Sequence, residues 1–173
     1  MVSPETLLRT LKNKKIDFFC GVPDSVLKNF TNFLEIKKKI KYIISTNEGS
    51  AVSLAIGYHL ATKKIPCVYL QNSGLGNAFN PLVSIAHKKV YSIPLVLIIG
   101  WRGHPNIKDE PQHQAMGKIT KKTLNILNIK SIELKNKNSL KKIKSSIDKI
   151  KKTNRILAIL VPLVKYLKQK NLK

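Results

Sequence analysis

Side chains able to do acid–base, anion-binding or hydrogen-bonding chemistry gather in four short stretches: Asp24 and Ser25; Glu48; Asn72, Ser73 and Asn77; and Arg102, His104, Lys108 and His113. Each stretch begins where an apolar run ends. Glu48 carries the clearest chemical signal. It follows the run Lys41 to Ser45, which reads as a buried strand, and precedes Ala51 to Ala61, which reads as a helix with few polar side chains. A carboxylate at a helix start is favoured in its ionised form by the helix dipole, whereas burial between two apolar elements raises its pKa. Opposed terms of this kind mark a working acid or base. The plainer alternative is a glutamate that caps the first helical turn.

Other chemistries fit less well. Gly74-x-Gly76 lacks the third glycine of a dinucleotide fingerprint and does not follow the first strand. Asp109, Glu110, His104 and His113 match no zinc-ligand spacing, so a solvated loop cap is the simpler reading. Serine, histidine and acid residues are present, but no G-x-S-x-G elbow exposes a serine nucleophile.

The elements that must position these residues follow from the pattern. Pro4 to Lys14 reads as a helix with Leu7, Leu8 and Leu11 on one stripe, and Ile16 to Cys20 as a buried strand ending in the turn Gly21 to Ser25. A helix over Val26 to Leu34, the strand at Lys41 to Ser45 and the helix at Ala51 to Thr62 come next. Pro66 to Gln71 forms a third strand, Asn72 to Asn77 a turn, Ala78 to His87 a helix and Leu95 to Gly100 a fourth strand. Four repeats of strand, turn and helix predict a parallel sheet with helices on both faces, its strand ends along one ligand-binding edge. Trp101 to Gly117 reads as a long polar loop, a length that points to function. Ile119 to Leu127 reads as a helix, Ile129 to Leu134 as a strand, Asn138 to Lys152 as a lysine-rich amphipathic helix and Ile156 to Val161 as the sixth strand. The chain is predicted to be one domain over residues 1–164 with a basic tail at 165–173, without repeat or linker.

Composition narrows the classes. The longest apolar runs, Ile93 to Gly100 and Ile156 to Val164, fall well short of the ~20 residues of a membrane span, and Met1 to Glu5 lacks a secretory-signal profile. Cys20 and Cys67 form no CxxC pair and read as reduced core thiols of a cytoplasmic protein. The net charge of +23 raises the question of nucleic acid. Yet 29 of the 32 basic residues are lysine, spread along the whole chain, and no nucleic-acid-binding motif accompanies them. Solvated lysine-rich helix faces are the simpler account, although the charge still draws in anionic ligands or an acidic partner.

Several segments carry a resemblance in the order in which they occur: Gly21-Val22-Pro23-Asp24-Ser25-Val26-Leu27-Lys28, Asn47-Glu48-Gly49-Ser50-Ala51-Val52, Gly57 to Thr62, Tyr69-Leu70-Gln71-Asn72-Ser73-Gly74-Leu75-Gly76-Asn77, Tyr91 to Pro94, and Gly100-Trp101-Arg102-Gly103 through Lys108-Asp109-Glu110-Pro111-Gln112-His113. From Ile16 to Leu127 the chain resembles phosphonopyruvate decarboxylases and, more widely, the pyrimidine-binding domain of thiamine-diphosphate enzymes, including the sulfopyruvate decarboxylase α subunit.

The resemblance implies a three-layer α/β/α fold with a six-stranded parallel sheet, and thiamine diphosphate with Mg2+ as cofactors. It implies that Glu48 hydrogen-bonds N1′ of the aminopyrimidine and so promotes loss of the C2 proton from the thiazolium. It places Asn72, Ser73, Gly74 and Asn77 at the cofactor, and Asp24, Ser25, Arg102, His104, Lys108 and His113 toward a small anionic 2-oxo acid. The Trp-Arg-Gly to Gln-His stretch favours the phosphonate over the sulfonate branch. The departure lies in the absence of the Gly-Asp-Gly motif through which the family binds diphosphate and metal. A diphosphate-binding β subunit that carries the metal ligands is therefore expected, in an α2β2 or larger assembly. A sulfopyruvate decarboxylase α subunit, or a non-catalytic module of the same fold, is the alternative.

Overall fold

The computed structural model describes residues 2–37 and 40–163, so the basic tail expected at 165–173 lies outside the described residues. In chain order the elements are α1 (Pro4–Asn13), β1 (Phe18–Gly21), α2 (Lys28–Ile36), β2 (Lys41–Ile44), α3 (Glu48–Thr62), β3 (Cys67–Gln71), α4 (Leu75–Pro81), β4 (Leu95–Trp101), α5 (Pro111–Ile126), β5 (Lys130–Glu133), α6 (Lys137–Thr153) and β6 (Ile156–Pro162). All strand pairs are parallel, in the order β2-β1-β3-β4-β6-β5. The six-stranded parallel sheet is the one the sequence predicts.

Alternation along the strands divides the core into two layers, because successive side chains point to opposite faces. Phe18 and Cys20, Val68 and Leu70, and Leu97 and Ile99 pack with Ala51, Val52 and Leu75 from α3 and α4 and with Leu124 from α5. Phe19, Cys67, Tyr69, Val96 and Ile98 pack on the other face with Leu8 and Leu11 of α1, Phe30 of α2 and Ile143 and Ile147 of α6. The central strands are buried on both faces, and β4 is buried throughout. Burial pushes the Cys20 thiol up to about 12, which makes it inert at neutral pH. No helix among the described residues is long and apolar enough to cross a membrane.

Three local expectations are corrected. The Lys41–Ile44 strand is not buried: it is the sheet edge, with Ile43 and Ile44 exposed at 41% and 58%. Its apolar residues read as core because a pattern of side chains does not show whether a neighbouring strand exists on both sides. The long polar stretch after β4 is a shorter loop, because α5 begins at Pro111, eight residues before the expected Ile119. Pro111 occupies the first helical turn, where its missing N–H costs no hydrogen bond. The helix expected at Ala78 to His87 instead starts at Leu75, after the tight turn Asn72–Gly74, and opens into a wide turn over Leu82–Ala86 beyond Pro81.

Candidate active site

Glu48 is the first residue of α3, but it does not cap it. The cap is Asn47, whose Oδ1 accepts from the Ser50 N–H at 2.8 Å. The Glu48 carboxylate is thereby left for another use, and it reaches across to α4. Its Oε2 accepts from Nδ2 of Asn77 at 2.8 Å. Beneath it lies Gly74, where a Cβ would collide with the carboxylate, so this position admits only glycine with Glu48 in its place. Glu48 is half-buried and Asn77 exposed, which leaves the acid fixed on one side and accessible on the other.

Ser73 is exposed beside this pair and accepts from Nε2 of Gln71 at 2.7 Å. Asn72 behaves differently from what the sequence suggested. It is 0% exposed, and its side chain is committed inside the protein. Its Nδ2 donates to the Arg102 carbonyl at 3.0 Å and to Thr120 Oγ1 at 2.9 Å, while its Oδ1 accepts from the Arg102 N–H at 3.1 Å. Both N–H groups of the amide and one acceptor position of its oxygen are thus used to clamp the start of the β4–α5 loop against β3 and α5.

At the ends of β1 and β4 a second cluster forms. Asp24 Oδ1 accepts from the Val26 N–H at 2.7 Å and so shapes the turn before α2, which has no side-chain cap of its own. Asp24 Oδ2 is buried, has no hydrogen-bond partner among the described residues and lies over Gly100, where a Cβ would strike it. Burial pushes the Asp24 carboxyl above the usual carboxylate range, and the Val26 and Leu27 N–H groups and the charges of Arg102 and His113 pull it partly back. Ser25 is exposed next to it and accepts from Arg102 Nη1 at 3.2 Å. Arg102 in turn is gripped by Asp109, with Nε and Nη2 donating at 2.8 and 2.6 Å. The arginine beside it holds the Asp109 carboxyl well below the usual range.

The remaining loop residues divide. His113 sits in the first turn of α5, half-buried near Asp24. Lys108 is exposed on the loop. His104 does not join the cluster: its Nε2 lies 3.1 Å from Glu133 Oε1 on β5, and its ring packs edge-on against Trp101. The residues considered for a metal site are therefore apart in role, Asp109 on Arg102 and His104 on Glu133. Asp109 is the residue that sequence reasoning missed as part of the binding cluster. Both it and Arg102 lie in the loop between β4 and α5, where spacing along the chain fixes no geometry, so only the folded loop reveals the pair.

A doubly wound parallel sheet with its polar turns on the carboxyl edge defines a cofactor-binding α/β domain, with β1 and β3 flanking the point where strand order reverses. The chain belongs to the family described as thiamine pyrophosphate enzyme, N-terminal TPP binding domain, which matches residues 2–124. It is 40% identical over 120 residues to phosphonopyruvate decarboxylase of Streptomyces hygroscopicus, a match covering 69% of this chain and 29% of that protein. It is 37% identical over 124 residues to sulfopyruvate decarboxylase subunit alpha of Methanocaldococcus jannaschii, covering 71% of this chain and 70% of that subunit. Benzoylformate decarboxylase from Polynucleobacter necessarius superposes with a TM-score of 0.70 at 19% identity, over 94% of this chain and 30% of that one, and shares the fold. The chain thus spans under a third of the phosphonopyruvate decarboxylase and over two thirds of the sulfopyruvate α subunit.

Proposed function

We propose that the chain is the pyrimidine-binding (α) subunit of a thiamine-diphosphate-dependent decarboxylase that converts 3-phosphonopyruvate to phosphonoacetaldehyde and carbon dioxide. The observation that carries this reading is the Glu48 carboxylate, released from capping by Asn47, steadied by Asn77 and set over Gly74. An accessible carboxylate with one oxygen already hydrogen-bonded suits a ring nitrogen that shares a proton. The accessible side of that carboxylate suits a flat heterocycle, so the residues present fit the cofactor's pyrimidine. Thiamine diphosphate supplies the electron sink for the electrons left when carbon dioxide departs. The chain's own part is to hold and share a proton at Glu48, keep that carboxylate oriented through Asn77, and present Ser73, Asp24, Ser25, Arg102, Lys108 and His113 along the same sheet edge.

The second half of the cofactor site, with its Mg2+, comes from a diphosphate-binding partner chain. Two observations support a partner. Several relatives of similar length are named as α subunits. The flank that begins at Glu48 is also apolar on its outside: Ile44, Leu54, Leu60, Phe79 and Val83 are exposed at 38–58%. A helix as apolar as α3 normally has a cover on every side. An α2β2 assembly or a larger one would bring such flanks together. Sulfopyruvate is the second reading of the substrate, favoured by the coverage of the sulfopyruvate α subunit.

The test is turnover of 3-phosphonopyruvate and 3-sulfopyruvate by the chain co-expressed with a diphosphate-domain chain, thiamine diphosphate and magnesium. Phosphonate turnover that vanishes in Glu48→Gln supports the assignment, preference for sulfonate transfers it to the second reading, and a cofactor-loaded complex inactive on both overturns it.

A further inference from the structure

Arg102 is held so that part of its guanidinium is left over. Nε and Nη2 donate side-on to Asp109, and Nη1 donates to Ser25 Oγ. Three of the five guanidinium donors are thus committed, which leaves one N–H on Nη1 and one on Nη2. The Asp109 side chain is only 4% exposed, while that of Arg102 keeps 19%. Asp109 is itself fastened to the loop, accepting from the Gly103 N–H at 2.9 Å and the Glu110 N–H at 3.0 Å. The loop backbone is anchored in turn by the Asn72 clamp and by Trp101, whose Nε1 donates to the Gly117 carbonyl at 3.1 Å. The plane of the guanidinium is therefore fixed from the core outward. Ser25 accepts from Nη1, and among the described residues no acceptor takes its own hydroxyl proton.

We propose that Asp109 is the positioning residue of a subsite for the terminal three-oxygen acid group of the substrate. The donors are the remaining Nη1 and Nη2 N–H groups of Arg102 and the hydroxyl of Ser25. This inference rests on the decarboxylase reading given above. A tetrahedral acid, phosphonate or sulfonate, offers oxygens in several directions and matches donors from a planar fork and a neighbouring hydroxyl. Because Asp109 offsets the charge of Arg102, recognition at this subsite depends on donor geometry. A lysine here would keep a positive charge and lose the fork.

The test uses the full chain in complex with its diphosphate-binding partner, with 3-phosphonopyruvate, 3-sulfopyruvate and pyruvate, which lacks the terminal acid, as substrates. Asp109→Asn leaves Arg102 free to swing, so KM for both acid-bearing substrates is expected to rise on the order of tenfold, with a much smaller change in kcat and in the KM for pyruvate. Arg102→Lys is expected to show the same split, and Asp109→Glu to restore part of the lost KM. Emission of the single tryptophan, Trp101, reports whether the loop keeps its packing in each variant. A larger KM effect on one acid identifies it as the group this subsite takes. Unchanged KM in both Asp109→Asn and Arg102→Lys, or an equal loss on pyruvate, overturns the inference and leaves the decarboxylase reading standing. Methylphosphonate and methanesulfonate, titrated against the chain with arginine side-chain nitrogens followed by NMR, separate the other case. A response at Arg102 that is absent in Asp109→Asn, in a complex that decarboxylates neither acid, keeps the subsite and overturns the decarboxylase reading.

Discussion

Nδ2 of Asn77 donates to Oε2 of Glu48 at 2.8 Å, tying the first turn of α3 to the first turn of α4. The two residues come from segments separated by a complete helix and strand, so the bond exists only because β2 and β3 end on the same edge of the sheet. Asn77→Asp would set two carboxylates against each other, and we expect loss of cofactor affinity of tenfold or more, with Asn77→Ala less severe. Calorimetric titration of the complex with thiamine diphosphate checks this. Equal affinities for the three proteins would remove Asn77 from the site.

Gly74→Ala tests the floor under Glu48. The new methyl would occupy the space of the Glu48 carboxylate, which must turn away, and such a turn is cheap for a half-exposed side chain. Activity should therefore fall at least tenfold while thermal stability changes by only about 1 kcal/mol or less. A parallel loss of both would mean that Gly74 serves the backbone rather than the acid.

Gly100→Ala addresses the opposite case, a contact within the core. β4 is buried over its full length, and the Cβ would strike Asp24 Oδ2, so about 1–3 kcal/mol of destabilisation is expected from overpacking. Removing the struck group should relieve the strain: Gly100→Ala combined with Asp24→Ala should be less destabilised than the sum of the single variants. Urea unfolding of the four proteins measures that coupling, and simple additivity would refute the contact.

Asp24 also predicts a pH dependence. Its folded-state pKa is raised, so protons bind it more tightly in the folded than in the unfolded chain. Its contribution to stability is present below the unfolded value, about 3.9, and is lost as pH rises through the raised folded value. Asp24→Asn removes the titration, so the stability of the variant relative to wild type should improve on going from pH 3 to pH 7. Melting temperatures across that range decide it, and a difference independent of pH would show that Asp24 ionises as freely in the folded protein as in the unfolded chain.

Asn72→Ala should be the most destabilising of these changes. It would leave the N–H and carbonyl of Arg102 without their partner in a buried setting, at a cost of about 2–4 kcal/mol. Because the clamp lies beside Trp101, its emission should redden as water reaches the loop. Unaltered emission and stability would mean that other contacts hold the loop.

Much of the architecture was legible from the chain. Central strands such as Leu95–Trp101 are continuous apolar runs because both faces are covered, and that signal is local. Glu48 stands out as a candidate in one dimension, since a lone acid between an apolar strand and an apolar helix is conspicuous there. The exposure of Ile43 and Ile44 was not legible, because an edge strand and an inner strand can carry the same apolar residues. His104 and Asp109 mislead for a related reason. Both lie in a polar loop where spacing has no fixed geometry, and their partners, Glu133 and Arg102, follow from how the loop folds back.

The sequence by itself determined the alternation of elements, the parallel sheet and the family, since hydrophobic period and turn chemistry act over a few residues. Only the tertiary structure decided which polar groups meet: Asn77 with Glu48, Asp109 with Arg102, and Asn72 with the loop backbone instead of an open site. The physical reason is that hydrogen bonds and ion pairs require atoms within about 3 Å, a condition set by packing across the sheet edge and invisible to spacing along the chain.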